Sequence, residues 1–469
     1  MTTHRSDRPR EACGVFGIHS RTHDVARIAF FGLYALQHRG QESAGIATAD
    51  GERIQVHARM GLVAQVFTEE DLRDLEGGHI AIGHTRYSTT GSSRVCNAQP
   101  ILVDGPAGQI ALAHNGNLVN ADQLREELER RGVEFETTTD SEVIGALIVN
   151  APGETWRERI ARVMPRLNGA YCLTIATRDE LLAVRDPLGF RPLCLGRLGE
   201  GWVVASESCA LGPLGAQFIR QIEPGEIFSV GRDGVTTAIG QPSTRRAGCA
   251  FEFVYVARPD SVIDGRLVYQ ARQAMGRALA RERPADADMV IGVPDSAIPA
   301  AMGYAEESGI PFREGLIKSR YIHRTFIQPE QNMRQQGVEL KLNPLPEILA
   351  GQRVVVVDDS IVRGTTQVHL VRLLRRAGAR EVHVRIHCPP WLHPCYFGID
   401  VGNRDQLIAA KMTETEMAAH MGADSLGYLS VEGMMGALGL PEGDYCKACF
   451  TGRYPVSVQL QMDKLALET

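Results

Sequence analysis

Hydrophobic and polar positions follow two different rhythms along the chain. In the first half, short alternating segments recur between glycine-rich turns. Residues 13–18, Cys-Gly-Val-Phe-Gly-Ile, alternate like a strand. Val25, Ile28, Phe31 and Leu36 then recur at helical spacing. Further strands are predicted over 45–49, 54–58, 110–114, 171–176, 181–185 and 202–206. A helix is predicted over 121–131, ended by Gly132. Helices mixed with mostly short strands predict an α+β sandwich.

Residues 240–248, Gly-Gln-Pro-Ser-Thr-Arg-Arg-Ala-Gly, form the best linker. Beyond it the apolar runs become continuous, at 289–293 and 354–357. Such runs suit strands covered on both faces. After the second run, Val368, Val371, Leu374 and Ala377 share one helix face, and Gly378 closes it. Val382, Val384 and Ile386 then alternate as another strand. Strand, helix and strand within about thirty residues make a βαβ unit of a parallel sheet. The second half is therefore predicted to be a doubly wound α/β domain, with its ligand at the carboxyl ends of the strands.

Length and composition narrow the classes. A chain of 469 residues favours at least two domains. A net charge of −6 gives no drive toward nucleic acid or anionic membrane. No apolar run is long enough to predict a membrane span. Residues 1–12 are polar and lack the apolar core of a secretory signal. A cytoplasmic location follows, and there the ten cysteines read as ligands, nucleophiles or core residues.

The sharpest motif is Val354-Val-Val-Val-Asp-Asp-Ser-Ile-Val-Arg-Gly-Thr-Thr366. A buried strand delivers Asp358 and Asp359 to its carboxyl end. A turn carrying Ser360, Arg363, Gly364, Thr365 and Thr366 then opens a helix. The N–H groups of such a turn, backed by the helix dipole, suit a phosphate monoester. The two carboxylates suit ribose hydroxyls and a Mg²⁺ ion, which takes oxygen ligands. Ser296, in Val293-Pro-Asp-Ser296, also follows an apolar strand and is a weaker candidate for the same site. A basic segment with Lys318, Arg320, Arg324, Arg334 and Lys341 fits a lid over a polyanion, or else a solvated surface loop.

A second constellation lies in the first half. Cys13 offers a thiol, the best side-chain nucleophile near neutral pH. Its own α-amine, with a pKa of about 8, can serve as base only if residues 1–12 are removed. Arg86, in His84-Thr-Arg-Tyr-Ser88, can clamp a carboxylate. Asn115 and the N–H of Gly116 supply the usual parts of an oxyanion hole. Asp140, in Thr139-Asp-Ser-Glu142, can hold an ammonium. Together they suit glutamine.

The motif at 354–366 resembles the signature of type I phosphoribosyltransferases. Cys-Gly-Val-Phe-Gly at 13–17, Gln-His-Arg-Gly-Gln-Glu-Ser-Ala-Gly at 37–45, His-Thr-Arg-Tyr-Ser, His-Asn-Gly and Thr-Asp-Ser-Glu resemble the class II, N-terminal-nucleophile glutaminases. In this order, over essentially the whole chain, the two resemble the glutamine phosphoribosylpyrophosphate amidotransferase family. The resemblance implies a four-layer αββα glutaminase domain at 13–240 and a phosphoribosyltransferase domain at 249–469, after a propeptide at 1–12. It implies Cys13 as nucleophile, Asn115 and Gly116 as oxyanion hole, and Arg86 and Asp140 as glutamine ligands. The products would be 5-phosphoribosylamine, glutamate and pyrophosphate, the first committed step of purine synthesis. Ser296, Asp358 and Asp359 would hold one Mg²⁺ per subunit. Purine nucleotides as feedback inhibitors and a homotetramer are further implications. Glu339 stands where the family carries a basic residue, which makes this lid less cationic.

Cys446-Lys-Ala-Cys449 is a C-x-x-C pair, and Cys249 and Cys395 can complete four thiolates. Spacing alone fits zinc or a [4Fe–4S] cluster, and Cys388 is a competing ligand. The propeptide branch of the family carries one [4Fe–4S] cluster per subunit, matched at Cys249, Cys395, Cys446 and Cys449. Cys96, Cys172, Cys194 and Cys209 read as core or surface thiols. Two rival functions remain: another class II amidotransferase, or a non-catalytic nucleotide-binding sensor of iron or oxygen. The Asp358-Asp359 turn argues against the first and the complete glutaminase set against the second.

Overall fold

The structure is a computed structural model that describes residues 13–87, 91–319, 342–401, 403–458 and 467–468. Two antiparallel sheets lie face to face in the first half. One runs Gln217–Gln221, Cys194–Leu198, Gly201–Ala205, Gly14–His19, Ile80–Arg86, Ser43–Ala49 and Ile54–Met60 from edge to edge. The other runs Gly234–Ile239, Glu226–Gly231, Leu181–Arg185, Gly169–Ala176, Gly108–Leu118 and Ile101–Gly105. Strand alternation sends Val15, Ile80 and Ile82 from the first and Ala111, Ala113 and Cys172 from the second into a dry layer between them.

Helices cover both outer faces. Val25–Ala35 packs on Phe16 and Ile18 through Ala29 and Leu33. Ala121–Glu129, Asp140–Asn150 and Trp156–Val163 pack on Ile110, Leu112 and Leu173. The four layers are α, β, β and α, as expected. Along the first helix Val25 and Leu36 are buried and Ile28 packs on the same core, as their spacing predicts, but Phe31 does not. Phe31 is 54% exposed, while Ala29, Gly32 and Leu33 are buried. The cause is local: a Cβ on Gly32 would lie 2.3 Å from a ring carbon of Phe16. Glycine therefore admits the ring and sets the inward face. The helix predicted over 121–131 ends earlier, at Glu129.

The second half is built on four parallel strands, Met289–Gly292, Arg353–Asp358, Glu381–Ile386 and Ser425–Tyr428, adjacent in that order. Phe312 bridges in parallel to Val290 on the free edge. With that bridge as an edge, strand order reverses between Met289–Gly292 and Arg353–Asp358, the topological switch point where such sheets bind ligands. Helices Val268–Glu282, Ile298–Ser308, Thr365–Arg376, Glu414–Met421 and Val431–Leu438 complete the layers. Among the described residues, no helix is long and apolar enough to cross a membrane.

The two ends of the second half meet each other, and its last residues reach back to the first half. Gly248–Cys249 pairs in parallel with Tyr445–Cys446. A π-helical turn, Glu252–Val256, follows immediately. Leu467 returns to the helix layer of the first half and is buried there. Glu468 accepts hydrogen bonds from Ser92 N at 2.6 Å and Thr138 Oγ1 at 3.1 Å.

Candidate active sites

Strand register assembles the first site. Gly14 pairs with Thr85 in the antiparallel ladder, which brings Cys13 beside the end of Ile80–Arg86. A Cβ on Gly14 would lie 2.7 Å from Thr85 Oγ1, so the residue after the thiol must be small. The Cys13 thiol donates to the Tyr87 carbonyl at 3.2 Å, and Tyr87 N lies 3.4 Å from Sγ. Burial pushes the thiol pKa up, against the Tyr87 hydrogen bond and Arg86, which pull it down.

Arg86 is buried, and its Nη1 donates to the Ser92 carbonyl at 3.2 Å. Asp140 opens a helix capped by Thr139, and its Oδ2 accepts Leu118 N at 3.0 Å. Burial alone would raise its carboxyl, but His114 and the Leu118 N–H outweigh it and hold the pKa low. Asn115 and Gly116 lie in Gly108–Leu118. Asn115 is fully buried; among the described residues its Nδ2 makes one long contact, 3.5 Å to Ser206 Oγ. An amide nitrogen has two donors, so one remains for a ligand. A Cβ on Gly116 would lie 2.0 Å from the Ala170 carbonyl oxygen, so only glycine fits.

The second site lies at the switch point. Asp358 ends the strand Arg353–Asp358, and its carboxylate accepts Asp359 N at 2.9 Å and a bond from Gln367 Nε2. Asp359 accepts Ser296 Oγ at 2.5 Å and Ser360 Oγ at 2.7 Å. Ser296 thus meets Asp359 across the reversal of strand order. The carboxylates of Asp358 and Asp359 and the hydroxyl of Ser296 are oxygen ligands of the kind a Mg²⁺ ion takes. Gly364 caps Thr365–Arg376 at a φ of +84°, a backbone conformation that favours glycine. Thr365 is exposed in the first turn, beside Thr366. Arg363 donates to Gln406 at 2.5 Å. Lys318 pairs with Asp295. Arg320, Arg324, Arg334, Glu339 and Lys341 lie outside the described residues, as do residues 1–12.

Cys249, Cys395, Cys446 and Cys449 line one small cavity, closed by Phe190, Arg191, Trp391 and Tyr454. Cys388 is not among its lining residues; it is buried and donates to the Pro389 carbonyl at 3.2 Å. Among the described residues, only His38, Glu207 and Cys209 bring three ligand atoms within 4.8 Å of one another. Glu207 in that group already accepts from His38, Arg39, Arg258 N and Ser261. Those donors saturate its oxygens, and it reads as a junction between halves rather than a metal ligand. No three of the cavity thiols lie within 4.8 Å of one another, whereas sulfurs sharing one tetrahedral zinc sit roughly 3.8 Å apart. A sulfur-only donor set around a cavity fits a cluster better than one ion. Of the other cysteines, Cys96 is exposed and Cys172, Cys194 and Cys209 are buried.

Sequence reasoning missed Ser206, Arg191, Glu207 and Glu252. Ser206 Oγ accepts Val15 N at 2.9 Å and faces Asn115. Arg39 stood inside a quoted motif but received no role; the other four sit in segments with no motif around them.

A buried thiol at a strand end of an αββα sandwich, joined to paired carboxylates and a glycine-opened helix on a parallel sheet, is the combination expected of a glutamine amidotransferase fused to a phosphoribosyltransferase. Family models for a glutamine amidotransferase domain and a phosphoribosyl transferase domain match residues 84–213 and 268–389. The amidophosphoribosyltransferase of Synechococcus elongatus is 51% identical over 99% of this chain and 96% of its own. That of Methanocaldococcus jannaschii is 50% identical over 96% and 98%. The glutamine phosphoribosylpyrophosphate amidotransferase from B. subtilis, complexed with ADP and GMP, superposes with a TM-score of 0.89 at 45% identity, covering 95% of this chain and 98% of that one. The chain belongs to the amidophosphoribosyltransferases, pentosyltransferases of the glutamine amidotransferase type that act in purine biosynthesis.

Proposed function

We propose that the chain converts glutamine, phosphoribosyl pyrophosphate and water to 5-phosphoribosylamine, glutamate and pyrophosphate, with Cys13 as nucleophile. The observation that carries this reading is the buried Cys13 thiol between the main chain of Tyr87 and Arg86. Arg86 and Asp140 hold the carboxylate and ammonium of glutamine. The thiol attacks the side-chain carbonyl, and Asn115 Nδ2 with the Gly116 N–H receives the oxyanion. The thiol proton passes to the α-amine of Cys13 and then to the departing ammonia. Water cleaves the thioester to release glutamate. That amine exists only once residues 1–12 are removed, which makes them a propeptide.

In the second domain, the turn with Ser360, Arg363, Gly364, Thr365 and Thr366 binds the 5-phosphate, and Asp358 and Asp359 hold the ribose hydroxyls. Ammonia attacks the anomeric carbon and pyrophosphate leaves. Lys341 and the basic lid residues contact the pyrophosphate and exclude water. One Mg²⁺ per subunit would be held by Ser296, Asp358 and Asp359; when bound it supplies charge neutralisation for the leaving group. One [4Fe–4S] cluster per subunit would be held by Cys249, Cys395, Cys446 and Cys449, pinning the ends of the second domain together. The glutaminase domain is taken as 13–240 and the phosphoribosyltransferase domain as 249–469. The B. subtilis relative carries ADP and GMP, which supports purine nucleotides as feedback inhibitors here. A cytoplasmic homotetramer completes the reading.

Cys13→Ser should abolish glutamine-dependent synthesis while ammonia still releases pyrophosphate from phosphoribosyl pyrophosphate. Retained glutamine use would overturn the assignment. Intact mass should show a chain beginning at Cys13, and anaerobically purified protein should contain iron and sulfide in equal amounts.

A further inference from the structure

Four buried charges join the two halves behind the thiol. Arg39, Glu207 and Arg191 come from the first half and Glu252 from the π-helical turn of the second, each at most 1% exposed. Arg39 Nη1 donates to Glu207 Oε1 at 2.5 Å and to Glu252 Oε2 at 3.0 Å. Arg39 Nη2 donates to Glu252 Oε1 at 2.8 Å. Arg191 Nη1 donates to the same Glu252 oxygen at 3.0 Å, and its other nitrogens donate to the Phe397 carbonyl at 3.2 and 2.8 Å. Two arginines and two glutamates make the group neutral. His38 touches it from the solvent side through Glu207.

One donor of Arg39 does something else. Its Nε donates to the carbonyl oxygen of Cys13 at 3.0 Å. A guanidinium is planar, so pinning Nη1 and Nη2 aims Nε. Glu207 grips Nη1 alone, whereas Glu252 grips both terminal nitrogens and so fixes the plane.

We propose that Glu252 is a positioning residue for the glutamine site, acting across the domain boundary through Arg39 on the carbonyl of Cys13. The proposal rests on Cys13 being the nucleophile and its α-amine the base. A residue at the very start of a chain has no upstream backbone to orient it. Its thiol is held by Tyr87 and its carbonyl by Arg39. Without the second hold, the amine can swing away from the thiol it must deprotonate. Small misplacements of that kind lower the rate constant more than substrate affinity.

The test separates aiming from buried charge balance. Glu252→Gln keeps the shape and removes the charge. It should lower kcat for glutamine hydrolysis about 10- to 100-fold, with KM for glutamine and the ammonia-dependent rate little changed. Arg39→Met combined with Glu252→Gln restores neutrality. It should recover the melting temperature lost in the single variant yet leave glutamine hydrolysis impaired, and it carries the test if the single variant fails to fold. Recovery of glutamine kcat in the double variant would overturn the proposal. So would an unchanged kcat, or equal losses in both reactions, in Glu252→Gln. Cys13→Ser, assayed in parallel, reports on the underlying reading separately: if it retains glutamine hydrolysis, the nucleophile is misassigned, whatever Glu252 does.

Discussion

At the scale of single residues, the surroundings of the thiol constrain the proposed mechanism. Cys13 is held above its ordinary pKa by burial, so at neutral pH it is a thiol and needs a proton acceptor at the moment of attack. His84 cannot supply one: burial pushes its pKa down to about 3, and its Nε2 faces the His114 carbonyl at 3.0 Å. The proposed mechanism gives that role to the α-amine of Cys13. Asn115 contributes only if its free donor meets the oxyanion. Asn115→Ala should therefore cut glutamine-dependent kcat about 10²- to 10³-fold, or roughly 3–4 kcal/mol, and spare ammonia-dependent synthesis. Steady-state assays with the two nitrogen donors check it. Cys13, Arg86, Asn115, Gly116 and Asp140 could be proposed from the sequence because each lies inside a local motif. Glu252 could not, because its partners Arg39 and Arg191 lie 213 and 61 positions away.

At the scale of elements, a strand that ends in carboxylates and a helix that begins after glycine frame the proposed phosphoribosyl site. The apolar run at 354–357 is fully buried, as a strand covered on both faces must be. Its parallel pairing with Glu381–Ile386 was legible from the βαβ pattern, while its pairing with Met289–Gly292 is set by the sheet as a whole. Gly364 is needed twice over. Its φ is +84°, and a Cβ there would lie 2.7 Å from Ile408 Cδ1. Gly364→Ala should cost about 1–3 kcal/mol of stability and raise KM for phosphoribosyl pyrophosphate, with glutamine hydrolysis little altered. Thermal melts and pyrophosphate release read the two effects. The inward face of Val25–Ala35 was less legible. Spacing picked Phe31, but the large ring that decides the packing, Phe16, belongs to another element.

At the scale of the whole molecule, buried charge holds the halves together and makes their union sensitive to acid. Burial would raise the Glu207 carboxyl, but His38 and Arg39 outweigh it and hold its pKa well below the ordinary range. Asp140 is held low as well. A carboxylate depressed on folding adds stability above its unfolded pKa and loses it as pH falls toward the folded one. Buried His84, held down to about 3, adds a loss that begins as pH falls through the ordinary histidine range. The melting temperature should therefore begin to fall below about pH 6.5 and fall more steeply below about pH 4; melts from neutral pH downward check it, and Glu207→Gln should flatten the steep limb. The sequence by itself determined the chemistry on offer: a thiol with glutamine-binding companions, paired carboxylates before a phosphate turn, and two domains of different rhythm. These are local, since each motif spans one strand end and its turn. Only the tertiary structure decided which groups meet: Ser296 against Asp359, four cysteines around one cavity with Cys388 outside it, and Glu252 behind Cys13. Those contacts depend on how sheets and helices pack, and packing brings together residues whose positions in the chain carry no shared pattern.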